Sequence, residues 1–129
     1  MSPDLTFLIW SVVLTFVQVV ICATAATMAV GLPQLAGNRE NMSANLEGWG
    51  GRAVRAHRNM LESLVLFATL VLVAHVSGKA NAMTAFGAQL FFFARLAYAV
   101  IYIAGVPWLR TGVWAASIVG MGLILMQLL

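Results

Sequence analysis

The chain has 129 residues, of which 62% are hydrophobic and only 9% are charged, and its formal net charge is +3. A soluble domain carries roughly a quarter of charged residues, so this composition excludes an ordinary water-soluble globule and favours folding in a bilayer. The basic balance does not indicate nucleic acid, because too few basic residues lie outside the apolar stretches to follow a phosphate backbone.

Hydropathy predicts four membrane spans, each close to the roughly 20 residues that cross the hydrocarbon. A polar loop separates the first two spans, and the motif "GVPWLRT" is expected to link the third span to the fourth. Because no linker is long enough to separate domains, residues 1–129 are expected to form one all-α, four-transmembrane-helix bundle. The predicted spans cover about residues 5–30, 52–76, 83–103 and 112–129.

The placement of lysine and arginine predicts the orientation of these spans. Arg39, Arg110 and the arginine cluster at 52–58 would share one side of the membrane, whereas the opposite side carries only Lys79. We therefore expect loops one and three in the cytoplasm and both termini outside.

Two predicted helices carry a polar stripe within otherwise apolar sequence. At about 100° per residue, the stripe on span two fills an arc of about 80°, and the stripe on span three repeats at i, i+3 and i+7. A charge at the bilayer centre costs roughly 2.5–3.5 kcal/mol, so both stripes must face protein, a polar cavity or the membrane boundary. The stripe residues are Arg52, Arg55, Asn59 and Glu62 on span two, and Arg95, Tyr98 and Tyr102 on span three.

The charges of this layer do not balance. Glu62 is its only acid, and it stands among several arginines, of which Arg95 is expected to reach it from span three. One interpretation is that these groups satisfy one another, with Glu40 or Glu47 folding in from the first loop. The other is that surplus guanidinium groups and two tyrosine hydroxyls bind a small anion that bears carboxylates.

The two histidines do not predict a metal site. His57 and His75 share a face but lie about 27 Å apart along one helix, and no second ligand stands at metal spacing. We expect no bound metal.

Three motifs, "RAHRNMLE" at 55–62, "FARLAYAVIY" at 93–102 and "PWLRT" at 107–111, resemble the MAPEG family, the membrane-associated proteins in eicosanoid and glutathione metabolism. The resemblance covers essentially the whole chain and is closest to the short bacterial branch. It implies a homotrimer of four-helix protomers in the bacterial inner membrane. It also implies that glutathione, as a co-substrate, binds at subunit interfaces near the cytoplasmic side.

The resemblance also implies roles for individual residues. Arg110 matches the arginine that, in the family, holds the thiolate of the glutathione cysteine. Thr111 stands where the prostaglandin synthase of this family has a serine. Both are expected to be catalytic, whereas Arg95 is expected to be structural. The residues expected to bind glutathione are Arg39, Arg55, Arg58, Asn59, Glu62, Tyr98 and Tyr102.

These features predict a glutathione-dependent transferase or peroxidase that acts on lipophilic electrophiles or hydroperoxides within the membrane. The resemblance does not define the second substrate, since Tyr98 occupies a position that is His in the prostaglandin enzyme and Tyr in leukotriene synthase. The alternative is a non-catalytic membrane subunit that binds an anion or a protein partner. A small multidrug transporter is disfavoured, because proton-coupled transporters of this kind usually need an acid within the membrane. The only acid near span one, Asp4, lies at its edge.

Overall fold

The structure, a computed structural model, describes residues 1–30 and 48–129, with the side chains of residues 29 and 30 excepted. This part of the chain is all-helical, as the sequence predicts, and each helix is long and apolar enough to cross a membrane. The helices are α1 (Pro3–Val30), α2 (Gly48–Val76), α3 (Ala82–Ala104) and α4 (Pro107–Leu128).

The turn between α2 and α3 and the end of α3 are built from residues suited to stopping and starting helices. Gly78 adopts a φ of 73°, a left-handed conformation that glycine tolerates without strain. Asn81 then caps α3: its side chain accepts hydrogen bonds from the Met83 and Thr84 amides, while the Thr84 side chain accepts from the Asn81 amide. Gly105, with a φ of 86°, ends α3 in the same left-handed region.

The fourth helix begins earlier than the sequence predicts. Hydropathy puts its start near residue 112, but α4 begins at Pro107. Proline suits the first turn of a helix because its missing N–H would have no intrahelical partner there. The Arg110 amide donates to the Val106 carbonyl at 3.2 Å. Arg110 and Thr111 therefore lie on the N-terminal turns of a helix and not in a loop.

The core lies where the four helices meet in the middle of the bundle. The rings of Phe67 on α2 and Phe91 on α3 stack with their centroids 4.0 Å apart, and neither side chain is exposed. Leu14 of α1 and Ile124 of α4 belong to the same buried cluster. Every helix therefore contributes side chains to one continuous core.

The backbones of α3 and α4 approach each other closely at two glycines. A Cβ added at Gly87 would lie 2.6 Å from the Gly120 carbonyl oxygen, and one added at Gly120 would lie 2.7 Å from the Gly87 carbonyl oxygen. Real Cβ atoms do not come this close to backbone. Small residues allow such approaches in membranes, where van der Waals packing drives helix association. These two glycines therefore set the distance between α3 and α4.

Polar contacts join three helices at the end of the bundle where α1 starts. The Asp4 side chain, 2% exposed, accepts a hydrogen bond from His75 Nε2 at 2.9 Å. The Thr84 hydroxyl donates to the other Asp4 oxygen at 3.4 Å. Asp4 thus connects the start of α1 to the end of α2 and the start of α3. We refer to this end as the Asp4 end.

A different contact ties the helices at the opposite end, which we refer to as the Arg110 end. Arg52 Nε donates to the Ile103 carbonyl at 2.8 Å. This carbonyl lies in the last turn of α3, where a cation also interacts favourably with the helix dipole. Arg52 therefore has a structural partner at the C-terminus of a helix, which the sequence did not predict.

Candidate functional site

A small polar cavity of about 200 Å³ opens at the Arg110 end of the bundle. It lies where α2, α3 and α4 come together, and four of its five lining residues are predicted site residues. The fifth, a tryptophan, was not among them. The lining residues are Asn59, Tyr98, Arg110, Thr111 and Trp114.

Aromatic contacts position the Arg110 guanidinium beside this cavity. Tyr98 is 5% exposed, and its ring centroid lies 5.4 Å from that of Tyr102, one turn along α3. The Arg110 Cζ atom lies 4.5 Å from the Tyr102 ring centroid, over the ring face. Such a cation–π contact restrains the guanidinium without neutralising its charge. The structure thus brings together Tyr98, Tyr102 and Arg110, three of the predicted site residues.

The start of α4 adds to the positive character of the cavity. Thr111 is exposed, and its hydroxyl donates to the Pro107 carbonyl one turn earlier at 3.2 Å. The N-terminus of a helix carries partial positive charge from its free N–H groups, and anions bind there readily. The early start of α4 therefore places Arg110 and Thr111 where a bound anion is favoured.

Arg95 does not make the contact expected of it. The sequence suggests that it reaches Glu62, but in the structure its Nη2 donates to Asn59 Oδ1 at 2.7 Å. Glu62 is exposed on the outer side of α2, whereas Arg95 is 1% exposed and points into the bundle. The expected pairing is wrong because the two side chains leave their helices toward different surroundings.

The remaining predicted ligands lie outside the cavity. Arg55, Arg58 and Glu62 are exposed on the face of α2 that no other helix of the described chain covers. Asn59 lies between this face and the cavity. It lines the cavity, and it is one turn from Arg55 and less than one turn from Glu62 along α2. Arg39, together with Glu40 and Glu47, lies outside the described residues.

The charge imbalance predicted from sequence persists in the described part of the chain. Among residues 1–30 and 48–129, the only contact within 4 Å between a carboxylate and a basic side chain joins Asp4 and His75, at the far end of the bundle. No carboxylate of these residues pairs with Arg55, Arg58 or Arg110. The same residues contain no group of three His, Cys, Asp or Glu side chains placed to hold a metal ion. The cavity thus suits a ligand that is itself anionic.

A second, larger cavity lies between α2 and α4, nearer the Asp4 end, and four of its seven lining residues are exposed on the outer surface of the bundle. Its volume is about 470 Å³, and its lining is almost entirely apolar. Leu66 stands two turns after Asn59 on α2, and Ile118 stands one turn after Trp114 on α4, so the two cavities lie in sequence along the α2–α4 groove. The lining residues are Leu66, Thr69, Leu70, Ile118, Met121, Gly122 and Leu125.

Two members of the site had little signal in the sequence. The sequence favours an interfacial aromatic role for Trp114, with the floor of a pocket as the alternative, and in the structure Trp114 lines the cavity. The contact of Arg95 with Asn59 joins the polar stripes of α2 and α3. Periodicity predicts the direction in which each stripe points, but not which residues of the two stripes lie at the same level of the bundle. A helical wheel gives the direction of a side chain and not its height relative to a neighbouring helix.

A family model described as the MAPEG family matches residues 6–129, essentially the whole chain. Comparisons with curated proteins and with solved structures give no match.

Proposed function

Because the chain belongs to the MAPEG family, a family of integral membrane proteins of glutathione metabolism, we propose that it is a glutathione-dependent transferase or peroxidase acting on lipophilic electrophiles or hydroperoxides. The observation that carries this proposal is the cavity at the Arg110 end, which is lined by hydrogen-bond donors and a guanidinium and contains no carboxylate. Glutathione bears two carboxylates and a thiol that reacts as its anion. Its charge therefore complements that of the site.

Each part of the tripeptide has a candidate partner. Arg110 stabilises the thiolate, and Thr111 offers a hydroxyl beside it. The carboxylates and the amine bind along α2, where arginines and one acid stand within two turns of each other. The proposed ligands of the tripeptide are Arg55, Arg58, Asn59 and Glu62 on α2, Tyr98 and Tyr102 on α3, and Arg39 in the first loop.

Two reactions follow from the same thiolate. In transfer, the sulfur attacks an electrophilic carbon, a carbon–sulfur bond forms, and the leaving group departs with its electron pair. In peroxide reduction, the sulfur attacks one oxygen of the hydroperoxide, and the alcohol leaves after protonation. The resulting sulfenic acid then reacts with a second glutathione to give the disulfide and water.

The apolar cavity supports a lipophilic second substrate. At about 470 Å³, it falls within the roughly 300–1,000 Å³ that ligand pockets occupy. It adjoins the polar cavity along α2 and α4, so an acyl or aromatic group held there has its reactive end near the thiolate. The bilayer supplies such molecules at high local concentration.

A homotrimer accounts for two further features. The polar cavity, about 200 Å³, is smaller than the roughly 300 Å³ at which ligand pockets begin, so a second protomer is needed to enclose a tripeptide. Exposed residues recur along one face of α2 at alternating spacings of four and three, which is the pattern of a helix-packing seam. The residues of this seam are Arg58, Glu62, Val65, Thr69, Leu72 and Val76.

Native mass spectrometry in a mild detergent tests this assembly. We expect a species of three times the 13.8 kDa chain mass, because α2 otherwise exposes Arg58 and Glu62 to lipid, and a charge at the bilayer centre costs roughly 2.5–3.5 kcal/mol. A spectrum that contains only the monomer contradicts the proposed assembly.

The distribution of basic residues supports an inner-membrane location with the Arg110 end in the cytoplasm, where reduced glutathione is available. Both termini then lie outside. Arg52, Arg55, Arg58 and Arg110 lie at this end, whereas the Asp4 end carries Lys79, in keeping with the excess of positive charge on cytoplasmic sides.

Calorimetric titration of the purified protein with glutathione tests the proposed function. We expect saturable binding that weakens about tenfold or more in Arg58→Ala, because a hydrogen-bonded charge is lost. Lys79→Ala is the matched control: it removes one positive charge at the Asp4 end, where Lys79 donates to the Leu128 carbonyl, and binding is expected to be unchanged. Absence of binding to the wild-type protein contradicts the proposal and favours a non-catalytic subunit.

A further inference from the structure

Arg95 is a buried cation without a counter-ion. Its side chain is 1% exposed and is the largest fully buried side chain of the described residues. No carboxylate of these residues pairs with it, and its Nε and Nη1 groups have no hydrogen-bond partner among them. A buried charge in this state is costly, so it requires an explanation beyond packing.

Two contacts hold the Arg95 guanidinium in place. Its Cζ atom lies 4.3 Å from the Tyr98 ring centroid, and its Nη2 donates to Asn59 Oδ1 at 2.7 Å. The first contact is a cation–π interaction, which stabilises the guanidinium without neutralising its charge. The second is short, as expected for a charge-assisted hydrogen bond. Both partners, Asn59 and Tyr98, line the polar cavity.

The hydrogen bond fixes which way the Asn59 amide faces. A guanidinium donates only and has no acceptor, so the atom that meets Arg95 must be the amide oxygen. The Nδ2 amino group then lies on the other branch of the amide and is left for other partners. Asn59 therefore offers the cavity a donor, although the asparagine side chain by itself is equally an acceptor.

We propose that Arg95 is a positioning residue that locks Asn59 as a hydrogen-bond donor. The cavity is thereby selective for ligand groups that accept hydrogen bonds, namely carboxylate oxygens and thiolate sulfurs. The inference rests on the proposed function, because it concerns the same site and an anionic ligand of the glutathione class. It adds a cause of selectivity: the uncompensated charge of Arg95 keeps the amide from turning its oxygen to the ligand.

The arrangement implies a conflict between stability and binding at position 59. An aspartate there gives Arg95 a counter-ion, so Asn59→Asp is expected to raise the melting temperature of the ligand-free protein by several degrees. The same change removes the Nδ2 donor and neutralises the local positive charge. Glutathione affinity is therefore expected to fall about tenfold or more. A residue that served packing alone would not couple these two effects in opposite directions.

The test combines thermal unfolding and calorimetry on four proteins: wild type, Asn59→Asp, Arg95→Met and the double variant. We expect Asn59→Asp to raise the melting temperature in the presence of Arg95 and to lower it in the Arg95→Met background, where the carboxylate has no partner. Asn81→Asp is the matched control, since Asn81 caps α3 at the Asp4 end, and it is expected to leave glutathione affinity unchanged. Because Arg95→Met can fail to fold, Asn59→Asp against wild type is sufficient by itself.

The outcomes separate this inference from the proposed function. If the wild-type protein does not bind glutathione, the proposed function fails, while the sign of the melting-temperature change still decides whether Arg95 holds the Asn59 oxygen. A lower melting temperature for Asn59→Asp in the presence of Arg95 overturns the inference. If glutathione binds equally well to wild type and Asn59→Asp, the inference is also overturned, although the protein remains a glutathione binder.

Discussion

Replacing Gly120 with leucine is expected to abolish the folded bundle. A Cβ at this position would lie 2.7 Å from the Gly87 carbonyl oxygen and 2.9 Å from the Phe91 amide nitrogen, and both neighbours are backbone atoms that cannot rotate away. Relief therefore requires α3 and α4 to separate, which breaks the packing of Phe91 and Ile124 in the core. Overpacking in a core costs about 1–3 kcal/mol where side chains can adjust, and here they cannot.

The yield of monodisperse protein after detergent extraction, followed by its unfolding temperature, measures this effect. Gly122→Leu is the matched control: it makes the same change two residues further along α4, where an added Cβ meets nothing within 4 Å. We expect this control to fold. If Gly120→Leu yields as much stable protein as Gly122→Leu, that result contradicts the close backbone contact between α3 and α4 at this position.

Replacing Arg110 with alanine is expected to remove most of the thiolate from bound glutathione. A free thiol has a pKa of about 8.5, so only about 3% is ionised at pH 7. One guanidinium about 4 Å away is worth at most about 4 kcal/mol at an effective dielectric of about 20, so a lowering of the thiol pKa by about two units is within reach. The thiolate fraction at pH 7 then changes roughly 25-fold between wild type and variant.

Turnover is expected to respond differently from ionisation. A thiolate of lower pKa is also a weaker nucleophile, by about tenfold for a Brønsted slope near 0.5, so ionisation alone changes the rate only a few-fold. Any larger loss of rate in Arg110→Ala reports the positioning of the sulfur against the second substrate. Arg110 is suited to that role because its guanidinium is held 4.5 Å above the Tyr102 ring.

Ultraviolet absorbance of the thiolate, titrated with pH at saturating glutathione, checks this prediction. In the wild type the midpoint is expected below that of free glutathione, and in Arg110→Ala it is expected to move up by about two pH units. Arg110→Lys keeps the charge but not the planar group that stacks on Tyr102, and an intermediate midpoint is expected. Equal thiolate signals in wild type and Arg110→Ala would show that another group stabilises the sulfur.

The fold could be predicted from the sequence because the signals are strong and local. Four apolar stretches of membrane length give four helices, and two of the glycines of positive φ, Gly78 and Gly105, follow a stretch of that kind. The start of α4 was misplaced because the motif from Gly105 to Thr111 is rich in residues that interrupt hydropathy. Pro107 interrupts the hydropathy as a linking residue does, although proline also begins helices.

The site was predicted in part, and the difference has a physical basis. Periodicity places Asn59 on one polar stripe and Tyr98 on another, and the structure puts both in one cavity with Arg110. The level of a residue along the bundle, relative to the residues of a neighbouring helix, depends on tertiary packing. The sequence therefore does not show that Arg95 contacts Asn59 and not Glu62. The close approach of Gly87 and Gly120 likewise has no local signal, since it depends on two residues 33 positions apart.

The central claim is that the arginines of the Arg110 end lack sufficient acids of their own and take their balancing charge from a bound anion. An experimental structure of the protein with glutathione tests it most directly. We predict density for the tripeptide, with its sulfur beside Arg110 and its carboxylates within hydrogen-bonding distance of Arg55 or Arg58. A map without tripeptide density, in which Glu40, Glu47 and Glu62 pair with these arginines, would contradict the claim.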